Sequence, residues 1–158
     1  MTGAERVLEF GSGRSTLWFA HNAAQVVSIE HNPQWVERVR HTLRKRGLLE
    51  RVEIRLASAE QVELAAGDLT GGSVDVVLID GVRRAECLRA ALSALKSGGL
   101  LLIDNINRYI PCESRGPGTL RAWPEEGSPW RPLAETLQHW EHSWTTDGVT
   151  DTWVGVAP

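Results

Sequence analysis

The residues best placed to do chemistry stand where apolar runs end. Glu9-Phe10-Gly11-Ser12-Gly13-Arg14-Ser15-Thr16 joins a short run, Val7, Leu8 and Phe10, to a helix-like stretch from Ser15 to Ala24. Glycines at such a junction let the backbone turn sharply and approach a ligand, and the helix start offers free N–H groups. Glu30 ends the next run, 19 residues after Gly11, where a carboxylate accepts hydrogen bonds from both hydroxyls of a ribose. Taken singly, the glycines read as a structural turn and Glu30 as a solvated strand end. Together, in register with the strand pattern, they describe a site for a nucleoside-type cofactor. Asp80 and Asp104-Asn105 follow two later apolar runs. Three oxygen ligands converging on one edge suit Mg²⁺ with waters completing an octahedron, although residues of this kind also cap helices or face the cofactor.

These groups need a sheet to hold them at one edge. The run Gln25–Glu30 meets Asn32-Pro33, a cap and first-turn pair, and Trp35, Val36, Val39 and Leu43 then recur at helical spacing up to Gly47. Val52–Leu56 alternates apolar and charged residues, as an outer strand does, whereas Val74–Ile79 and Leu100–Ile103 are almost wholly apolar. Such runs suit central parallel strands covered on both faces. Ala85–Leu95 supplies a helix between them, which Gly98-Gly99 is expected to end. The alternation predicts an α/β fold, a Rossmann-like doubly wound sheet that is mostly parallel. The tail differs: His139–Thr146 and Thr150–Val156, separated by Asp147-Gly148, predict an antiparallel hairpin. The segment 105–132 has no period and reads as a long loop or lid. Residues 1–158 are read as one domain.

Composition removes several classes of function. With 42% apolar and 23% charged residues the chain has the mix of a folded globular protein. A formal net charge of −3, with the basic residues Arg38, Arg40, Arg44, Lys45 and Arg46 confined to one predicted helix, argues against a nucleic-acid partner. Glu5, Arg6, Glu9 and Arg14 break any apolar leader, and no run is long enough to cross a bilayer, so a cytoplasmic location without membrane association is expected. Cys87 and Cys112 lack zinc-type pairing and are expected as free thiols. Homo-oligomerisation stays open.

Thr16 stands where the dinucleotide fingerprint has its third glycine, which disfavours NAD. Val7-Leu8-Glu9-Phe10-Gly11-Ser12-Gly13 resembles the first motif of class I S-adenosylmethionine-dependent methyltransferases, with Ser15-Thr16 similar to a variant in bacterial branches. The resemblance implies a seven-stranded methyltransferase fold with S-adenosylmethionine as cofactor. By it, Gly11 and Gly13, with Ser12 and Ser15, line the methionine portion, Glu9 helps hold its amino group, and Glu30 takes the ribose. Ser58-Ala59 falls at the adenine turn, although Ser58 replaces the commoner Asp, and Asp80 contacts the methionine end or acts as a base. The first strand begins close to Met1, so the N-terminal helices that often cover the cofactor in this class are expected to be missing, with either a trimmed domain or a lid from elsewhere.

Asp80, Asp104 and Asn105 are spaced like the metal triad of the catechol and caffeoyl-CoA O-methyltransferases. Arg83 stands where those enzymes carry a lysine base, and it brings a fixed positive charge, so dependence on Mg²⁺ is not expected. Asp80-Gly81-Val82-Arg83 lacks the Pro-Pro-Tyr loop of base N-methylating enzymes. Of the seven tryptophans, Trp123, Trp130, Trp140, Trp144 and Trp153 fall in the last 36 residues, with Tyr109 nearby; they either form an aromatic acceptor pocket or pack the loop and hairpin onto the sheet. His139 and His142 are expected at the surface. The resulting expectation is methyl transfer to a small-molecule acceptor, at oxygen. The alternatives are a non-catalytic member of the fold that binds nucleoside cofactor or protein, and an NAD-dependent oxidoreductase.

Overall fold

A computed structural model describes residues 1–158. Strand β1 (Arg6–Phe10) lies at the middle of a seven-stranded sheet with β2 (Gln25–Glu30), β3 (Val52–Leu56), β4 (Val74–Ile79), β5 (Leu95–Ile103), β6 (Glu141–Thr146) and β7 (Asp151–Val156), in the order β3-β2-β1-β4-β5-β7-β6. The first five strands are parallel, and β7 runs antiparallel to both β5 and β6. The strand order reverses at β1 and β4, so their carboxyl ends open a crevice at the switch point where ligands bind in such sheets.

Helices α1 (Arg14–Asn22) and α2 (Pro33–Lys45) cover one face, and α3 (Arg84–Ala94) and α4 (Arg131–Leu137) the other. Asn32 caps α2, its Oδ1 accepting from the N–H groups of Gln34 and Trp35 at 3.0 and 3.2 Å. Val36, Val39 and Leu43 are the residues this helix buries, and the arginines between them lie on the solvated side. Strand β4 is buried along nearly all its length because both faces are covered; β6, at the outer edge, is exposed throughout.

One expectation is corrected. Gly98-Gly99 does not end the helix, because α3 passes into β5 at Leu95. The glycines make a bulge instead: pairing jumps from Val74 with Leu95 to Val76 with Leu100, and a Cβ at Gly99 would come within 2.9 Å of the Asp75 carbonyl oxygen. The segment 105–132, expected as a long loop or lid, is mostly loop and packs onto the sheet. Ile106, Ile110 and Trp130 are buried, Tyr109 stacks on Trp130 at 4.5 Å between ring centres, and the segment runs into α4, which buries Leu133, Ala134 and Leu137. Pro132 sits in the first turn of that helix, where no N–H is needed. The hairpin closes through residues 147–150, with Asp147 Oδ1 accepting from the N–H groups of Val149 and Thr150. No helix is long and apolar enough to cross a membrane.

Candidate functional site

The turn after β1 is held by contacts that only glycine permits. Gly11 has φ +96°, and a Cβ there would come within 2.8 Å of the Gly81 nitrogen, in the loop after β4. The two loops that flank the switch point therefore touch backbone to backbone. Gly13 differs, because a Cβ there would meet nothing within 4 Å. Its small size leaves open space at the start of α1.

Behind this turn lies a polar network. Glu9 is fully buried. Its Oε1 accepts from the Ser15 hydroxyl at 2.5 Å, and its Oε2 accepts from Thr16 at 2.5 Å and Ser28 at 2.6 Å. The Ser28 proton is thus committed to Glu9, so Ser12 must donate in the 2.7 Å contact between the two serine hydroxyls. Burial raises the Glu9 pKa, and the hydroxyls of Ser15, Ser28 and Thr16 oppose that rise. The carboxylate expected to help hold a bound amino group fastens α1 to β1 and β2 through these hydroxyls.

Glu30, 5% exposed, is oriented by three backbone donors: Ser12 N–H on Oε2 at 3.0 Å, and the N–H groups of His31 and Asn32 on Oε1 at 2.8 Å each. Each carboxylate oxygen accepts more than one hydrogen bond, which leaves acceptor capacity for a ligand. Trp35 Nε1–H closes the same corner on the Ser12 carbonyl. The chain after β3 arrives beside it, Ala57 N–H donating to the Glu30 carbonyl at 3.0 Å, with Ser58 exposed and Ala59 half-buried just beyond. Phe10, Gly11, Ile29, Val62 and Gly81 wall a narrow cleft between these loops.

On the other side of β1, Asp80, Asp104 and Asn105 do come together, around an arginine. The Arg84 guanidinium donates through Nη2 to Asp80 Oδ1 and through Nη1 to Asn105 Oδ1, both at 2.9 Å. Its side chain is only 10% exposed, and its Nε is buried without a partner. Asp104 Oδ1 accepts from the Thr152 hydroxyl at 2.8 Å. Partial burial and the neighbouring Asp104 carboxyl push the Asp80 pKa up to about 6, with Arg84 pulling against them. Arg83, expected to supply the fixed charge, turns away: with φ +51° it pairs with Glu63 at 3.2 Å and Glu86 at 3.5 Å. A divalent ion does not fit these residues as they stand, since one within bonding distance of Asp80 and Asn105 would meet a guanidinium already bound to both.

Sequence reasoning missed Arg84, Ser28 and Thr152. Ser28 carried a signal, a lone hydroxyl inside the apolar run Gln25–Glu30; Arg84 is indistinguishable from Arg83 in sequence. The tryptophans divide. Trp123, Trp144 and Trp153 line a cavity of about 570 Å³ beside the hairpin, while Trp130 stacks on Tyr109 and Trp140 packs 5.9 Å from Trp153. Burial pushes the Cys87 thiol up to about 12, so it stays protonated and unreactive.

Comparison with known proteins adds an independent line. A family described as a methyltransferase domain matches residues 8–106. A catechol O-methyltransferase of Mycobacterium tuberculosis is 32% identical over 112 residues, covering 66% of this chain and 50% of that protein. The chain thus spans half the length of that curated relative. Among solved structures, the O-methyltransferase TomG of Streptomyces achromogenes, involved in tomaymycin synthesis and crystallised in complex with SAM, superposes with a TM-score of 0.72 at 19% identity, over 99% of this chain and 75% of its own. An O-methyltransferase of Bacillus cereus in complex with SAH gives 0.71 at 21% identity, over 98% and 75%. These superpositions show a shared fold.

Proposed function

The chain belongs to the methyltransferase-domain family, and from that premise we propose that it transfers a methyl group from S-adenosylmethionine to an oxygen of a small-molecule acceptor. The observation that carries this reading is the convergence of an open glycine turn, an oriented Glu30 and an Asp80 of raised pKa on one sheet edge. When bound, S-adenosylmethionine supplies a sulfonium methyl group: the acceptor oxygen forms the new C–O bond, the C–S bond breaks with its electron pair staying on sulfur, and the acceptor proton leaves. The open space at Gly13 admits the methionine portion to the start of α1, with Gly11, Ser12 and Ser15 shaping the turn. Glu30 accepts from the ribose hydroxyls, and Ser58-Ala59 borders the adenine. Glu9 holds the turn in shape. Asp80 takes up the acceptor proton, while Arg84 supplies next to it the positive charge that a divalent ion supplies elsewhere, so the reaction proceeds without Mg²⁺. Positioning and exclusion of water account for most of the rate.

Calorimetry with S-adenosylhomocysteine tests the cofactor assignment, and transfer of labelled methyl to candidate phenols separates an enzyme from a non-catalytic binder. Glu30→Ala is expected to weaken S-adenosylhomocysteine binding roughly tenfold or more, because it removes charge-assisted bonds of about 1.5–3 kcal/mol. Unchanged affinity in a folded Glu30→Ala protein would remove the ribose role.

The raised Asp80 pKa makes a second expectation. With an acceptor in hand, kcat/KM should fall on the acid side with a midpoint near pH 6, the pKa to which Asp80 is pushed. Asp104→Asn, by deleting a carboxyl that raises Asp80, should move that midpoint to lower pH. A pH profile identical in Asp104→Asn and parent would exclude Asp80 as the proton acceptor. The sign for stability is opposite: since the folded-state pKa lies above the ordinary 3.8, protonation favours the folded chain. That contribution is complete below about pH 4 and lost as pH rises through about 6.

A further inference from the structure

Asp151, the first residue of β7, is 4% exposed, and no hydrogen-bond donor or cation of the protein reaches its carboxylate. Its Oδ2 is buried without a partner, and only its backbone N–H is engaged, by Asn107 Oδ1 at 3.3 Å. Burying a carboxyl group without a hydrogen-bond partner is unfavourable, and nothing in the chain supplies that partner. Asp151 lines the cavity of about 570 Å³ walled by Trp123, Trp144, Trp153, Ile110 and Leu137. Glu113 also lines it, and no lysine or arginine does. Aromatic faces and an unpaired carboxylate attract the same kind of ligand, an organic cation.

We propose that this cavity binds an organic cation: a flat apolar body seated among the tryptophans, carrying an ammonium group paired with Asp151. The recognition of a cation does not depend on the methyl-transfer reading above.

Quenching of tryptophan fluorescence tests this with three probes of one shape, titrated with and without S-adenosylhomocysteine: 2-phenylethylammonium, neutral 2-phenylethanol and anionic 3-phenylpropionate. The ammonium is expected to bind at least about tenfold more tightly than the alcohol, and the carboxylate not to saturate. Asp151→Asn should bring the ammonium down to the level of the alcohol while leaving affinity for S-adenosylhomocysteine unchanged. Trp123→Ala, at a half-exposed wall, should weaken the ammonium several-fold and the alcohol less. Equal binding of ammonium and alcohol by the parent, or an ammonium affinity unmoved by Asp151→Asn, would overturn the proposal. Ammonium selectivity without any binding of S-adenosylhomocysteine would instead overturn the methyl-transfer reading and leave a cation site.

Discussion

Gly13→Val is expected to weaken S-adenosylhomocysteine binding by at least about a hundredfold in a protein that folds and melts like its parent. The two halves of this expectation rest on different observations. The fold should survive because the added Cβ meets no atom within 4 Å and the backbone there is extended, with φ 179°. Binding should not survive, because the space that the new side chain fills is the space assigned to the methionine portion of the ligand. Steric overlap in a packed site costs roughly 1–3 kcal/mol for each group forced in, and about 3 kcal/mol corresponds to a hundredfold. Gly11→Ala supplies the contrast: its Cβ would meet the Gly81 backbone at 2.8 Å at a residue with φ +96°, so it should lower the melting temperature whether or not ligand is present. Calorimetry on Gly13→Val decides the matter. If that variant binds normally, the cofactor is not where the turn places it.

Glu9→Ala is expected to lose about 2–4 kcal/mol of stability, measured by urea unfolding, because it removes one acceptor and strands several donors. Ser15, Thr16 and Ser28 all donate to Glu9 within 2.5–2.6 Å, and each buried hydroxyl left without a partner costs roughly 1 kcal/mol or more. Partial re-pairing limits the total, since Ser12 and Ser28 stay in contact. Glu9→Gln should recover part of the loss, because its amide oxygen still accepts. A direct ligand contact makes a different forecast, in which Glu9→Ala reduces affinity at full stability. Cofactor affinity that falls while unfolding is unchanged would restore Glu9 to the ligand.

Glu9 and Gly13 stand four positions apart in one motif, yet they were legible to different degrees. The turn itself could be read because its signals are local: an apolar run, glycines, then a helix start. The same holds for Asn32-Pro33 at the head of α2, for the uninterrupted apolar strand β4 and for the hairpin around Gly148. Period-2 and period-3.6 patterns and turn chemistry depend on neighbours a few residues away, so the sequence by itself determined the alternation of strands and helices and the edge on which Glu30, Asp80 and Asp104 emerge. The seven-residue α4 lay hidden because it spans only two turns, too few for a period to declare itself, and buries its face only against the completed sheet.

Only the tertiary structure decided which partner each polar group takes. Adjacent arginines differ by about 100° around a helix and have long, flexible side chains; the left-handed backbone of Arg83 sends it to Glu63 and Glu86, and Arg84 to Asp80 and Asn105. Glu9 turned inward because hydroxyls from α1 and from the neighbouring strand β2 converge behind it. Asp151, an ordinary hairpin residue in sequence, became a buried carboxyl group without a partner when the segment from Ile106 to Leu137 folded over β7. Partner choice and burial depend on residues tens of positions apart, and that information exists only once the sheet has brought them together.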